Sequence, residues 1–160
     1  MAIKFKPIGT IYTPFKTKEN MPIQGKGANN IKGTIQLKKK YTEGLQDLNG
    51  FSHIYLIYHL HKSFNYNLLV TPFLDDKKHG VFATRAPKRP NAIGISVVKL
   101  ISISKNYIEI EGVDMLNKTP LLDIKPYVPE FDCFETEKIG WLTNKSIDLS
   151  KIKSDKRFES

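Results

Sequence analysis

Several protein classes are excluded by what this sequence lacks. Cys133 is the single cysteine among 160 residues, so no internal disulfide can form. The four histidines join no set of cysteines in a zinc spacing. Both points indicate a reducing, cytoplasmic compartment. No apolar run approaches the roughly 20 residues of a membrane helix. The longest, Ile54 to Leu60, is broken by Tyr58 and His59. Met1 to Thr10 has no apolar centre of a secretory signal. Internal repeats, long linkers and low-complexity tracts are absent as well. So is sustained helical periodicity, and with it the strand–helix alternation and glycine-rich first turn of a Rossmann-type nucleotide-binding fold.

What remains is one domain's worth of strand-like sequence with a basic balance. The formal net charge is +9 and the isoelectric point near 9.5, which favours a polyanionic partner and, in a cytoplasmic protein, nucleic acid. Candidate strands are Lys4 to Ile11, Ile31 to Leu37, Ser52 to His61, Leu68 to Thr71, Val81 to Thr84, Ile95 to Ile103, Tyr107 to Glu111 and Leu121 to Lys125. In Ser52 to His61, Ile54, Leu56, Tyr58 and Leu60 share one face, with His53, Tyr55, Ile57, His59 and His61 on the other. In the long strand Ile95, Val97, Lys99, Ile101 and Ile103 share a face, and Lys105-Asn106 makes a hairpin turn into Tyr107. Thr42 caps a predicted short helix over Glu43 to Leu48 that Gly50 ends. The expected fold is mainly β, a single-sheeted closed antiparallel barrel with short helices, because closure removes exposed edges. Residues 1–132 form the barrel, and 133–160 a peripheral C-terminal tail docked through Trp141.

Four segments carry chemistry. Gly80 to Gly94 runs from an apolar stretch into a loop with Arg85, Lys88 and Arg89, stiffened by Pro87 and Pro90. Such a loop can hold its cations in place before an anionic ligand arrives, and guanidinium groups suit carboxylate or phosphate. Glu111 to Tyr127 places Asp114 and Asp123 in apolar surroundings, where each can receive an ammonium or ribose hydroxyl, or cap a turn. Met21 to Gly27 is a glycine-containing loop in which Gly25 and Gly27 can let backbone approach a ligand, or give only a flexible surface turn. His59 and His61 share a strand face without a third ligand, so no metal site is expected.

Together these segments resemble the tRNA adenosine N6-methyltransferases that act on N6-threonylcarbamoyladenosine beside the anticodon, the TrmO-like family. The resemblance rests on Ile8-Gly9 with Pro14-Phe15, Phe51-Ser52-His53, Gly80 to Gly94, and Asp114 through Tyr127. It implies a single-sheeted β-barrel that binds S-adenosyl-L-methionine, modifies tRNA and works as a homodimer. Carried over position by position, it implies cofactor contacts at Gly25, Lys26, Gly27, His61, Lys62, Arg85, Ile95, Glu111, Gly112, Val113 and Asp114. Two departures stand out. Asn117-Lys118 replaces the family's usual Asp-Gly before the Thr-Pro turn, and the chain looks like the short form, with the basic stretch Lys151 to Arg157 in place of a further C-terminal domain.

Methyl transfer to an exocyclic amine gains most from alignment and from exclusion of water. An acceptor for the departing N6 proton would add to this. Arg85, Asp114 and His61 are the candidate catalytic groups. Lys88, Arg89 and Lys125 are the candidate contacts to RNA, with Arg85 also available to the threonyl carboxylate of the substrate. Two other readings remain at this stage: a methyltransferase acting on another nucleoside or a small molecule, and a non-catalytic RNA-binding barrel.

Overall fold

The computed structural model describes residues 1–145 and 147–158. Its eight strands are β1 (Gly9–Tyr12), β2 (Lys32–Leu37), β3 (His53–His59), β4 (Leu69–Val70), β5 (His79–Gly80), β6 (Ile93–Ser104), β7 (Tyr107–Glu111) and β8 (Thr119–Pro126). Six close into an antiparallel barrel in the order β1-β2-β7-β6-β3-β8, and β4 pairs with β5 outside it. The expected closed barrel is present.

Period-two patterning drives the closure. β3 buries Ile54, Leu56 and Tyr58 and turns His53, Tyr55, Ile57 and His59 outward, as the alternation required. Ile11, Ile35, Leu37, Val98, Ile108, Ile110 and Leu121 complete the same interior.

Strand β6 corrects one expectation. The face shared by Ile95, Val97 and Lys99 points away from the core, and the buried residues are Ser96 and Val98. A bulge opposite β7 between Leu100 and Ser102 then switches the faces, which packs Ile103 against the core. Strict alternation over the whole strand fails because the extra residue is invisible to a periodic reading.

Other boundaries also move. The first strand begins at Gly9 and not at Lys4, and Leu68 to Thr71 shortens to Leu69–Val70. Val81 to Thr84 is not a strand: Val81–Ala83 is a 3-10 turn closed by Thr84 Oγ1 donating to the Val81 carbonyl at 2.9 Å. The predicted helix over Glu43 to Leu48 is replaced by 3-10 turns at Lys39–Leu45 and Leu48–Gly50, split by Asp47 in the left-handed region. Thr42 does not cap it, and its hydroxyl donates back to the Lys39 carbonyl at 2.7 Å.

The Asn117-Lys118 departure is absorbed by the turn. Asn117 Oδ1 accepts the Thr13 N–H at 3.1 Å, the task a carboxylate would perform there. Lys118 takes the left-handed φ of 62° that glycine adopts more readily, at a cost of about 1 kcal/mol.

The chain from Cys133 onward runs back across the barrel. Pro22 and Lys153 form a β-bridge, and the Ser154 N–H donates to the Met21 carbonyl at 2.8 Å. Trp141 stacks on His79 at 4.6 Å and donates Nε1–H to the Ala83 carbonyl at 2.8 Å. Phe158 is buried in a second cluster with Val70, Val81 and Ala86. These contacts bring the C-terminal stretch against the segments singled out for chemistry.

Candidate active site

Strands β3 and β6 carry the centre of the site to one end of the barrel. Tyr58 lies across from Gly94 in the β3–β6 register. A Cβ on Gly94 would stand 2.3 Å from Tyr58 Cε2 and 2.6 Å from Cζ, so the missing side chain is what seats the phenol ring. The seated ring places the Tyr58 hydroxyl 2.9 Å from Ser96 Oγ. Ser96 Oγ in turn donates to Asp114 Oδ1 at 2.6 Å. A serine has one hydroxyl proton, so Tyr58 donates to Ser96 and the chain of bonds runs Tyr58 to Ser96 to Asp114.

Gly94→Ala is therefore expected to lower stability by about 1–3 kcal/mol through overpacking and to swing Tyr58 off Ser96. Urea unfolding measures the first effect, and loss of the Tyr58 hydroxyl's protection, read by ultraviolet pH titration of tyrosine, measures the second. An unchanged unfolding midpoint would refute this account of the glycine.

Asp114 reaches the site because Gly112 turns the chain out of β7 with a φ of 89°. The Gly112 N–H donates to the Ile31 carbonyl at 2.9 Å, which pins the turn to the neighbouring loop. Burial is the main influence on the Asp114 carboxyl and pushes it up from 3.8 to about 6. Hydrogen bonds from Ser96 and from the backbone of Asp114 and Gly25, together with the charge of Arg85, hold it from rising further. Burial, and next the charge of Asp114, raise the Tyr58 phenol, so it stays protonated as a donor.

The loop after the Val81–Ala83 turn is organised by Arg89. Its Nη1 donates to the carbonyls of Val81, Thr84 and Ala86 at 3.2, 2.9 and 3.2 Å. Ser63 Oγ adds a bond to the Pro87 carbonyl at 2.9 Å. Arg85 stays exposed, and its Nη1 donates to Gln24 Oε1 at 2.6 Å. The result is a cleft of about 300 Å³ whose walls include Tyr58, Leu60, His61, Arg85, Ile95 and Asp114.

The structure brings together part of the predicted set. Arg85, Asp114, His61, Lys62, Ile95 and Arg89 all border this cleft. Burial first, and the charge of Lys62 next, lower the His61 imidazole, which is neutral at pH 7; its Nδ1 lies 3.5 Å from Thr119 Oγ1. Gly25 lies beneath, where a Cβ would come within 3.0 Å of the Val97 carbonyl and 3.1 Å of the Gly112 carbonyl. Other members lie elsewhere. Val113 is fully buried in the barrel core, and Glu111 is a ladder residue between Lys32 and Lys99. The close approach permitted by Gly27 is to the chain itself, since a Cβ there would meet the Leu149 carbonyl at 2.4 Å. Lys26 stands beside it in the Gly25–Gly27 turn. Lys125 is on β8, paired with Asp123 at 2.8 Å and away from the cleft walls. Lys88 is in the proline-stiffened loop, and its carbonyl accepts the Asn67 N–H.

Sequence reasoning missed Tyr58 and Ser96, as well as the part Gln24 and Phe158 take in the walls. A signal for the first two existed. Ser96 is the polar residue on an inward face that otherwise carries Val98, and Tyr58 ends the inward series of β3.

Residues 10–133 match the family model described as the tRNA-methyltransferase O N-terminal domain. The chain belongs to this family. A probable S-adenosyl-L-methionine-binding protein of Pyrococcus abyssi is 51% identical over all of this chain and 87% of its own length. The tRNA (adenine(37)-N6)-methyltransferase of Mus musculus is 36% identical over 79% of this chain, which spans only 31% of that protein. Among solved structures, TrmO from Pseudomonas aeruginosa superposes with a TM-score of 0.74 at 36% identity, covering 88% of this chain and 62% of that one. All the residues of the Tyr58–Ser96–Asp114 relay, and Arg85, fall inside the matched tRNA-methyltransferase O domain. The stretch from Phe134 onward falls outside it.

Proposed function

We propose that this chain transfers the methyl group of S-adenosyl-L-methionine to N6 of N6-threonylcarbamoyladenosine at position 37 of tRNA. The broader part, a methyltransferase that uses this cofactor and acts on tRNA, follows from membership of the family and from the names of its relatives. The acceptor base is supported by the adenine(37)-N6 activity in the name of the mouse relative, and the threonylcarbamoyl group by the cationic rim of the cleft. The observation that carries the reading is the placement of Arg85 and Asp114 on one cleft, where the Arg85 charge acts on the Asp114 carboxyl.

The residues present fit the cofactor. Its carboxylate would suit Arg85, and the apolar walls of Leu60 and Ile95 would suit its adenosine and exclude water from the reacting atoms. When bound, S-adenosyl-L-methionine supplies an electrophilic methyl group. The chain's own work is positioning and proton handling. The Tyr58–Ser96 relay fixes one Asp114 oxygen, so the carboxylate is aimed before any ligand arrives. A carboxyl titrating at about 6 is mostly ionised at pH 7.5, yet basic enough to take a proton from the acceptor nitrogen. Neutral His61, across the same cleft, can accept a hydrogen bond without repelling a cation. Lys62 draws the threonyl carboxylate, while Lys88 and, on release from Asp123, Lys125 would meet anticodon phosphates. Arg89 serves the RNA indirectly, by holding the loop that presents Arg85 and Lys88.

The reading includes a homodimer, supported by the exposed apolar side chains of Phe64, Leu68, Leu69 and Ile95. Mass spectrometry of nucleosides from tRNA of a strain lacking this protein tests the acceptor. N6-threonylcarbamoyladenosine should persist there without its N6-methylated form, and restoring the gene should restore that form. A methylated nucleoside unchanged by the deletion would reject the reading.

A further inference from the structure

A second cleft, of about 490 Å³, adjoins the first and shares with it the wall formed by Gln24, Thr84 and Arg85. Its lining is apolar and aromatic, with Phe82 and the C-terminal residues Trp141, Leu142 and Leu149 opposite that polar wall. Phe82 is 76% exposed in the Val81–Ala83 turn, so among the described residues a large aromatic face is held out to solvent. Trp141 is fixed by its stack on His79 and its bond to Ala83. The far wall is thus supplied by a segment outside the matched family domain.

Charge selects among possible occupants. The C-terminal segment itself is nearly balanced, but the chain as a whole has a net charge of +9, and Arg85 stands in the wall that the two clefts share. An aromatic slot with a guanidinium in its wall, on a basic chain, suits a base attached to a polyanion, since unstacked bases are recognised by stacking while the backbone meets cations. The slot also lies on the opposite side of the Gln24–Arg85 pair from Asp114, one wall away from the proposed transfer site. A neighbour in the same single strand would fall there.

We infer that this cleft takes an unstacked nucleobase of the tRNA, one of the two adjoining the methylated adenosine, and that the C-terminal segment thereby sets RNA specificity. The inference rests on the proposed function, because it assumes that the acceptor base enters the first cleft. Stacking on Phe82 anchors the neighbouring base, and Arg85 and Gln24 stand at the divide between the two bases.

Binding of an anticodon stem-loop RNA carrying N6-threonylcarbamoyladenosine tests this. The intact RNA is compared with two forms in which one or the other flanking nucleotide is abasic. Phe82→Ala should weaken binding of the intact RNA about tenfold or more and Phe82→Trp should restore it. One abasic form should bind weakly to the unaltered protein and be indifferent to Phe82→Ala. Cofactor affinity, measured by calorimetry, should be the same in all three proteins. Equal weakening of intact and both abasic RNAs would overturn the inference, as would no weakening at all. A parallel loss of cofactor affinity would assign the cleft to the cofactor's adenine instead. Methyl transfer by the unaltered protein, run beside these, separates the two levels. Transfer that survives an indifferent Phe82→Ala rejects the base site alone, whereas absence of transfer and of RNA binding in the unaltered protein rejects both.

Discussion

Asp114→Asn is expected to melt at a higher temperature than the unaltered protein at pH 7.5 while transferring methyl groups on the order of a thousandfold more slowly. The stability half follows from proton linkage. The carboxyl titrates at about 6 in the folded protein and at 3.8 in an unstructured reference. Between those values the folded state keeps a proton that the unfolded state has lost, so stability falls as pH rises through that window and stays lower above it. The difference between 3.8 and about 6 corresponds to about 3 kcal/mol. An amide avoids the charge but turns an N–H toward the Gly25 amide that now donates to the carboxylate, so the net gain should be nearer 1–2 kcal/mol. Below pH 4, where the folded and unfolded carboxyl are both protonated, the order should reverse, with the unaltered protein about 1–2 kcal/mol the more stable. Thermal melts from pH 4 to 8 check the first claim, and single-turnover transfer checks the second. In the unaltered protein the transfer rate should climb through about pH 6 as Asp114 ionises. Equal melting curves at pH 4 and 8 would mean that the carboxyl is not held up by burial.

Arg85 should be nearly as sensitive, with losses on the order of a hundredfold in both Arg85→Ala and Arg85→Lys. Its guanidinium spends one nitrogen on Gln24 and leaves the rest of the planar fork over the cleft. Lysine keeps the charge but cannot hold Gln24 and grip a carboxylate in the same plane. Stability should fall little, because the side chain is exposed and its bond to Gln24 lies at the surface. Loss of transfer accompanied by an equal loss of stability would make Arg85 a structural residue. Near-normal transfer by Arg85→Ala would remove it from the site.

How far the sequence alone reaches is clear from particular residues. Ile54, Leu56 and Tyr58 announce the inward face of β3, and the closed barrel follows from such patterns repeated. The bulge after Leu100 hides the change of face along β6, whereas Ser96, which precedes it, was legible as the polar residue beside Val98 on one face. Arg85 stands out by its rigid loop, and Asp114 by its apolar setting, but their meeting depends on strand register and on the φ of Gly112. Arg89 shows the limit of charge as a guide, since the same loop context yields a side chain committed to three carbonyls of its own turn. Trp141 was legible as the residue that docks the C-terminal stretch, but the walls that it and Phe158 give to the clefts could not be read, because they rest on that stretch returning to Phe73 and His79.

The most direct measurement of the central claim is single-turnover methyl transfer with S-adenosyl-L-methionine to tRNA that carries N6-threonylcarbamoyladenosine at position 37, run beside the same tRNA with plain adenosine there. The account predicts one methyl group gained at N6 of the modified nucleoside, slow or no transfer to the plain one, and loss of the reaction in Asp114→Asn. Equal transfer to both tRNAs, or none to the modified one from a protein that binds the cofactor, would contradict it.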